Sequence, residues 1–237
     1  MAQTTATQAP AVNPALLHSD DRAGLIYRTA AKMIYERGFA NTSMNDIAEA
    51  VAMTKPGVYY YVKGKKELLF AIMSYAMDRL DAEVMARAEP ERDPERRLRI
   101  IVGQHARLLM RDEHGTLGIL IDEVGGLAAD QRAVIIRRKR RYFDFVRRTI
   151  EELWAARGIE GRSSTVAAFS VLGMIMWLSR WYDPRGPLSS DEVADDLTEV
   201  ALGAVTNARP APGRRSNRTE HWARAGGAGA GNKEIPR

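Results

Sequence analysis

The residues with the most chemistry to offer stand close together: Thr54, Tyr59 and Tyr60 bring hydroxyl groups, and Lys55 a cation, into one stretch of seven positions. Hydroxyls and an ammonium so spaced suit phosphate oxygens and base edges. No general acid, base or nucleophile in a recognisable motif stands beside them to make a reaction centre. The surrounding elements must position them. Leu25, Ile26, Thr29, Met33 and Ile34 recur at helical spacing and stop at Gly38, where a C-cap glycine belongs, which predicts a helix over 20–37. Thr42 or Ser43 can cap a second helix, with Asp46 three residues beyond Ser43 as in a capping box and Ile47, Ala48 and Val51 as its inner face. Thr54 caps a third helix, which ends near Val62; Pro56 falls in its first turn, where a missing N–H does no harm. Two short helices joined by a tight turn, with small Ala48 at their close approach, are what a helix-turn-helix requires, and the second would lie in a major groove. Val58, Tyr61 and Val62 share the face expected to close its small core. Pro56 and Gly57 leave the start of that helix short of side-chain donors, so base readout should be sparse and DNA shape should carry part of the specificity.

From Gly38 to Leu69, including Tyr59-Tyr60-Tyr61 and the Lys65-Lys66-Glu67-Leu68 start of a fourth helix, the segment resembles the DNA-binding domain of the TetR family. The resemblance implies that Thr42, Thr54, Lys55, Tyr59, Tyr60 and Lys65 or Lys66 meet DNA, mostly at phosphate, with Pro56 and Gly57 in the same interface. Ala52 departs from the pattern, since the turn commonly carries Gly there; if that residue needs φ > 0, Ala costs roughly 1 kcal/mol. Charge agrees with a polyanionic partner. Of a net +5 for the chain, most falls between Asp20 and Lys66, where eight Lys and Arg face five Asp and Glu.

The rest of the chain reads as helix throughout. Segments are expected over 65–88, from Asp93-Pro94 to Arg111, and over 116–125, 130–157 (closed by Gly158), 163–182 and 189–205, the last with a Ser189/Glu192 capping box. No stretch alternates as a strand would. The fold class is therefore all-α: an N-terminal three-helix helix-turn-helix domain over 19–66 and a helical domain over 67–207, which the resemblance implies is the effector-binding and dimerisation domain. The helix from Lys65 is long and amphipathic enough to belong to both. Residues 1–18, uncharged before His18, are expected to be a disordered arm, and 208–237 a disordered basic tail that either touches DNA or is simply solvated.

In the second domain, Arg180-Trp181-Tyr182-Asp183-Pro184-Arg185-Gly186-Pro187-Leu188-Ser189 resembles the corresponding junction in TetR-type regulators of fatty-acid and steroid catabolism, and implies a CoA thioester as effector. Such a ligand needs an apolar slot and cations. Phe169, Met174, Met176, Trp177 and Trp181 are candidates for the slot, or are plain core. Arg137, Arg138, Lys139, Arg140, Arg141, Arg147 and Arg148 are candidates for the phosphates, or a solvated face. Arg180, beside two aromatics, needs a carboxylate, phosphate or solvent, with Asp122 or Glu123 as internal candidates. His105 completes the expected ligand set of Phe169, Met174, Trp177, Arg180 and Trp181.

Other functions find little material. With no Cys there is no thiol catalysis or disulfide framework, and the composition fits a reducing cytoplasm. His18 and His221 lie in the tails and His105 and His114 lack ligand-spaced partners, so no metal is expected, nor any cofactor. Neither a Gly-rich phosphate loop nor a Gly-x-Ser-x-Gly elbow occurs, so an enzyme is not expected. Met1 to Leu17 lacks the features of a signal peptide, and the apolar run Val166–Leu178 falls short of the ~20 residues that span a bilayer. The expected partners are an operator duplex, a second copy of the chain and a small effector. A drug, a lactone or an aromatic acid is the alternative effector, and a helical interaction protein with a vestigial helix-turn-helix the alternative from another class.

Overall fold

The computed structural model describes residues 22–207; the expected arm and basic tail lie outside the described residues. All regular structure among the described residues is helical: α1 (Arg22–Arg37), α2 (Met44–Ala50), α3 (Lys55–Tyr61), α4 (Lys65–Arg79), a π-helical segment (Leu80–Met85), α5 (Ala86–Ala88), α6 (Pro94–Met110), α7 (Thr116–Asp122), a 3₁₀ turn (Val124–Gly126), α8 (Ala129–Arg157), α9 (Ser164–Trp181) and α10 (Ser190–Asn207). The polar residues at the starts of these helices act as caps. Ser43 Oγ accepts from the Asp46 N–H while Asp46 returns the bond to the Ser43 N–H, and Ser189 and Glu192 repeat the arrangement. Asp93 accepts from the N–H groups of Glu95 and Arg96. Gly38 (φ +82°) and Gly158 (φ +63°) leave α1 and α8 in the left-handed conformation that stops a helix.

The helix expected over 65–88 is continuous in direction but not in hydrogen bonding: α4 passes through the π turn before α5. Such turns insert one residue into the ladder; in this one Leu80 lines a partly open cavity and Asp81 accepts an Arg138 bond of 2.8 Å. The segment expected over 116–125 ends earlier, at Asp122, and tightens into the 3₁₀ turn. One apolar core runs without a break from Ile26 in α1 to Val205 in α10. The division expected at 66/67 therefore falls in the first turn of a helix that both parts share.

Candidate functional site

The head is built from α1 to α3 on the start of α4. Thr54 Oγ1 accepts from the Gly57 N–H at 3.2 Å, which aims the third helix, and Val58 and Val62 bury its inner side. The opposite side is open: Thr54, Lys55, Pro56, Tyr59 and Tyr60 are all exposed, Tyr60 by 85%. Tyr61, expected in the small core, is exposed and packs edge-on against the Tyr60 ring. Val58 and Val62 close the core without it. Lys66 is exposed, whereas Lys65 lies over the Phe39 ring and donates to the Ala40 carbonyl.

Thr42 departs from expectation. It is 1% exposed, and its hydroxyl donates to the Gly38 carbonyl at 3.0 Å, so it ties off the end of α1 instead of facing a phosphate. A short polar residue just past a helix end satisfies carbonyls that have no partner within the helix. Ala52 has φ +52°, so the turn between α2 and α3 does require the left-handed conformation.

The head is keyed to the second domain through α7. A Cβ at Gly115 would lie 2.2 Å from the Tyr35 ring and one at Gly118 2.4 Å, so the bare backbone of α7 forms the seat for that ring. Glu123 Oε1 accepts from the Phe39 N–H at 2.9 Å. Buried Asp112 accepts from Thr116 Oγ1 and from the Leu117 N–H at the start of α7, and pairs with Arg79 of α4 at 3.6 Å. Burial pushes its carboxyl above the usual range, against those hydrogen bonds and the Arg79 charge.

On its other side α7 walls a cavity of about 870 Å³. Leu117, Leu120 and Ile121 face it from α7, Met77 from α4, His105 and Leu109 from α6, Tyr142 and Phe143 from α8, and Phe169, Leu172 and Met176 from α9. Three cations of the α8 basic run reach it. Lys139 donates to the Leu120 carbonyl at 2.7 Å, and its burial draws its pKa below the ordinary lysine value, partly offset by Asp122. Arg140 is exposed and has no partner among the described residues, while Arg147 is held by Glu151 at 2.6 Å and Asp144 at 3.5 Å. Arg138 is turned away, bonded to Asp78 and Asp81 beside the π turn.

Of the expected ligand set, His105 and Phe169 line the cavity, and Met174, Trp177, Arg180 and Trp181 do not. For Met174, Trp177 and Trp181 helical geometry is the reason. Thr165, Phe169, Leu172, Gly173 and Met176 share one flank of α9, beside the buried face of Ala168, Val171, Ile175 and Leu178, and Trp177 and Trp181 continue a different stripe with Val166. That stripe is exposed, Trp177 by 65%. Arg180 points outward to Asp122 at 3.4 Å, and Glu123, the other candidate, is taken by Phe39.

Sequence reasoning missed Tyr142 as the partner of His105. The hydroxyl meets His105 Nδ1 at 3.0 Å, with both side chains buried. Burial pushes the imidazole down to about 4 and the phenol far above its ordinary value, so both are neutral. A separation of 37 residues leaves no local signal for such a pair.

No group of His, Asp or Glu among the described residues is arranged to hold a metal ion, and no described helix is long and apolar enough to cross a membrane.

Residues 26–72 match the family model for bacterial regulatory proteins of the tetR family, and residues 91–205 the model for a tetracyclin repressor-like C-terminal domain. The chain is similar to the HTH-type transcriptional repressor KstR2 of Mycobacterium tuberculosis, 24% identical over 193 residues that make up 79% of this chain and 94% of that one. The structure is similar to that of AibR in complex with isovaleryl coenzyme A and operator DNA, at 35% identity and a TM-score of 0.69, covering 76% of this chain and 97% of that one. It is also similar to the TetR family transcriptional regulator PfmR from Thermus thermophilus, at 28% identity and a TM-score of 0.65, covering 77% and 97%.

Proposed function

The chain belongs to the TetR family of bacterial regulatory proteins and is a DNA-binding transcriptional regulator rather than an enzyme, and on that premise we propose that it represses transcription as a homodimer on a pseudo-palindromic operator and is released by a CoA thioester. The carrying observation is the cavity: apolar walls from five helices, with Lys139 and Arg140 brought to it from one side of α8. An acyl group fits the first and phosphates fit the second. AibR, at 35% identity, binds isovaleryl coenzyme A and operator DNA.

The DNA face of this reading is Thr54, Lys55, Pro56, Gly57, Tyr59, Tyr60 and Lys66, with Lys65 reaching phosphate only by leaving the Phe39 ring. The dimer face is the exposed stripe of Val166, Trp177 and Trp181 on α9, together with Val200 on α10. An apolar stripe of this length on a water-soluble surface calls for a partner, and two heads about one DNA turn apart read a two-fold site that one head cannot hold. Phe169 is both exposed and at the cavity, so the second copy would also cover the cavity's edge. Release follows from α7: a ligand that presses on Leu117, Leu120 and Ile121 shifts the same helix that seats Tyr35 and holds Phe39. The heads then lose the separation that fits successive major grooves.

A labelled operator titrated with isovaleryl-CoA, isovalerate and unrelated apolar drugs tests the reading. Release by the thioester and not by the free acid is expected. Release by drugs and by no thioester would replace the effector class while leaving the repressor; no salt-dependent duplex binding at all would overturn the whole proposal.

A further inference from the structure

Resting on the reading of the cavity as a thioester site, we propose that His105 and Tyr142 together recognise a carbonyl oxygen on the acyl part of the ligand, so that the ligand class is an acyl compound and not a bare hydrocarbon. The pair lies against apolar walls that include Leu109, Leu117, Leu120 and Phe143. A neutral imidazole carries one N–H and a phenol one O–H, and the single 3.0 Å contact between them uses one of these two protons. If the phenol donates to Nδ1, the proton on Nε2 is left; if Nδ1 donates, the phenol proton is left. Neither residue makes another hydrogen bond among the described residues. Either tautomer therefore keeps one donor for whatever enters the cavity. A brace between α6 and α8 would need no such donor, since an apolar pair of the same shape packs equally well and leaves nothing unsatisfied. The neutrality of the pair also selects among acceptors. It offers no charge to a carboxylate buried beside it, whereas an uncharged carbonyl asks only for the one hydrogen bond, and the thioester oxygen is the carbonyl that every acyl-CoA brings.

Isothermal titration of the full chain with isovaleryl-CoA and with the matching thioether, S-(3-methylbutyl)-CoA, which lacks the oxygen, tests this. Wild type should bind the thioester about tenfold more tightly or better. Each single variant retains one donor, so the deciding protein is the double variant His105→Leu/Tyr142→Phe, in which the ratio should approach one while operator binding persists as evidence of folding. Equal affinities in wild type would overturn the proposal and leave the thioester reading standing, and this outcome needs no variant. Persistence of the preference in the double variant would overturn it too, because the oxygen would be read elsewhere. Binding of neither compound to wild type would overturn the thioester reading and the proposal together.

Discussion

The Glu123 carboxylate, one residue past α7, accepts a 2.9 Å hydrogen bond from the Phe39 N–H in the turn that leaves α1. Two parts of the chain 84 residues apart are joined by it. Lys65 lies over the Phe39 ring, and a Cβ at Gly126 would strike that ring at 2.5 Å, so Phe39 is held from three directions. In Glu123→Ala the Phe39 N–H loses its partner, at a cost of about 1–3 kcal/mol. The larger consequence is expected in coupling: the ratio of operator affinities without and with isovaleryl-CoA should shrink several-fold, and by reciprocity the effect of operator on ligand affinity should shrink equally. Glu123→Gln, which keeps an acceptor oxygen, should restore much of both. Unchanged coupling in Glu123→Ala would remove this contact from the path.

At Ala52 the φ of +52° puts a Cβ in a conformation that glycine adopts freely. Ala52→Gly should stabilise the protein by about 1 kcal/mol, less the entropy glycine adds to the unfolded chain. Urea unfolding of the two proteins measures it. A loss of stability would mean that the strain is relieved elsewhere in the turn.

Lys55 and Tyr60 are exposed and neither has a side-chain hydrogen bond or ion pair with the protein among the described residues, so Lys55→Ala and Tyr60→Phe should leave stability within about 0.5 kcal/mol. Both should weaken operator binding. Lys55→Ala should also lower the slope of log affinity against log salt by about one unit. Thr42→Ala provides the contrast: losing the bond to the Gly38 carbonyl should cost about 1 kcal/mol of stability with no change in salt slope. An unaltered operator affinity in Lys55→Ala would move the interface to another face.

Trp177 stands 65% exposed in the α9 stripe. On the proposed dimer it is buried between copies, so Trp177→Asp should give monomers by sedimentation and reduce operator affinity by about a hundredfold or more. The isolated fold should tolerate the change. A dimeric Trp177→Asp would place the interface elsewhere.

His105 stays neutral in the fold down to about 4, while in the unfolded chain it takes up a proton near 6.5. Between those values the unfolded state binds more protons, so stability present above pH 6.5 is lost as pH falls toward 4, on the order of 3 kcal/mol from this residue. Denaturant unfolding of wild type and His105→Leu/Tyr142→Phe across that range should show the component in wild type alone. Parallel pH curves would mean that the imidazole is protonated in the fold.

The helices and their caps were legible because they are local: Ser43 with Asp46, Thr54 with Pro56, and Ser189 with Glu192 act within four residues, and the chain folds them as their spacing predicts. The outward face of α3 could be read for the same reason, since Val58 and Val62 had to be buried and Lys55, Tyr59 and Tyr60 then had to turn out. Ala52 could be singled out only through the family resemblance, in which Gly commonly holds that place in the turn. Thr42 could not be placed this way: a hydroxyl past a helix end can serve a phosphate or the helix's own carbonyls, and the packing of α1 on α2 decided for the carbonyls.

The second domain marks the division most clearly. Its sequence determined that α9 is an apolar helix with aromatic residues on more than one side, and that α8 carries a dense run of cations. It did not determine which side of α9 faces inward, because apolar residues at helical spacing satisfy a core, a cavity and a dimer interface equally well. Tertiary packing settled this by turning Phe169 and Met176 to the cavity and Trp177 and Trp181 outward, and by drawing Arg138 to Asp78 while leaving Lys139 at the Leu120 carbonyl. Periodicity fixes positions around one helix axis, and only the neighbouring helices fix what each direction meets.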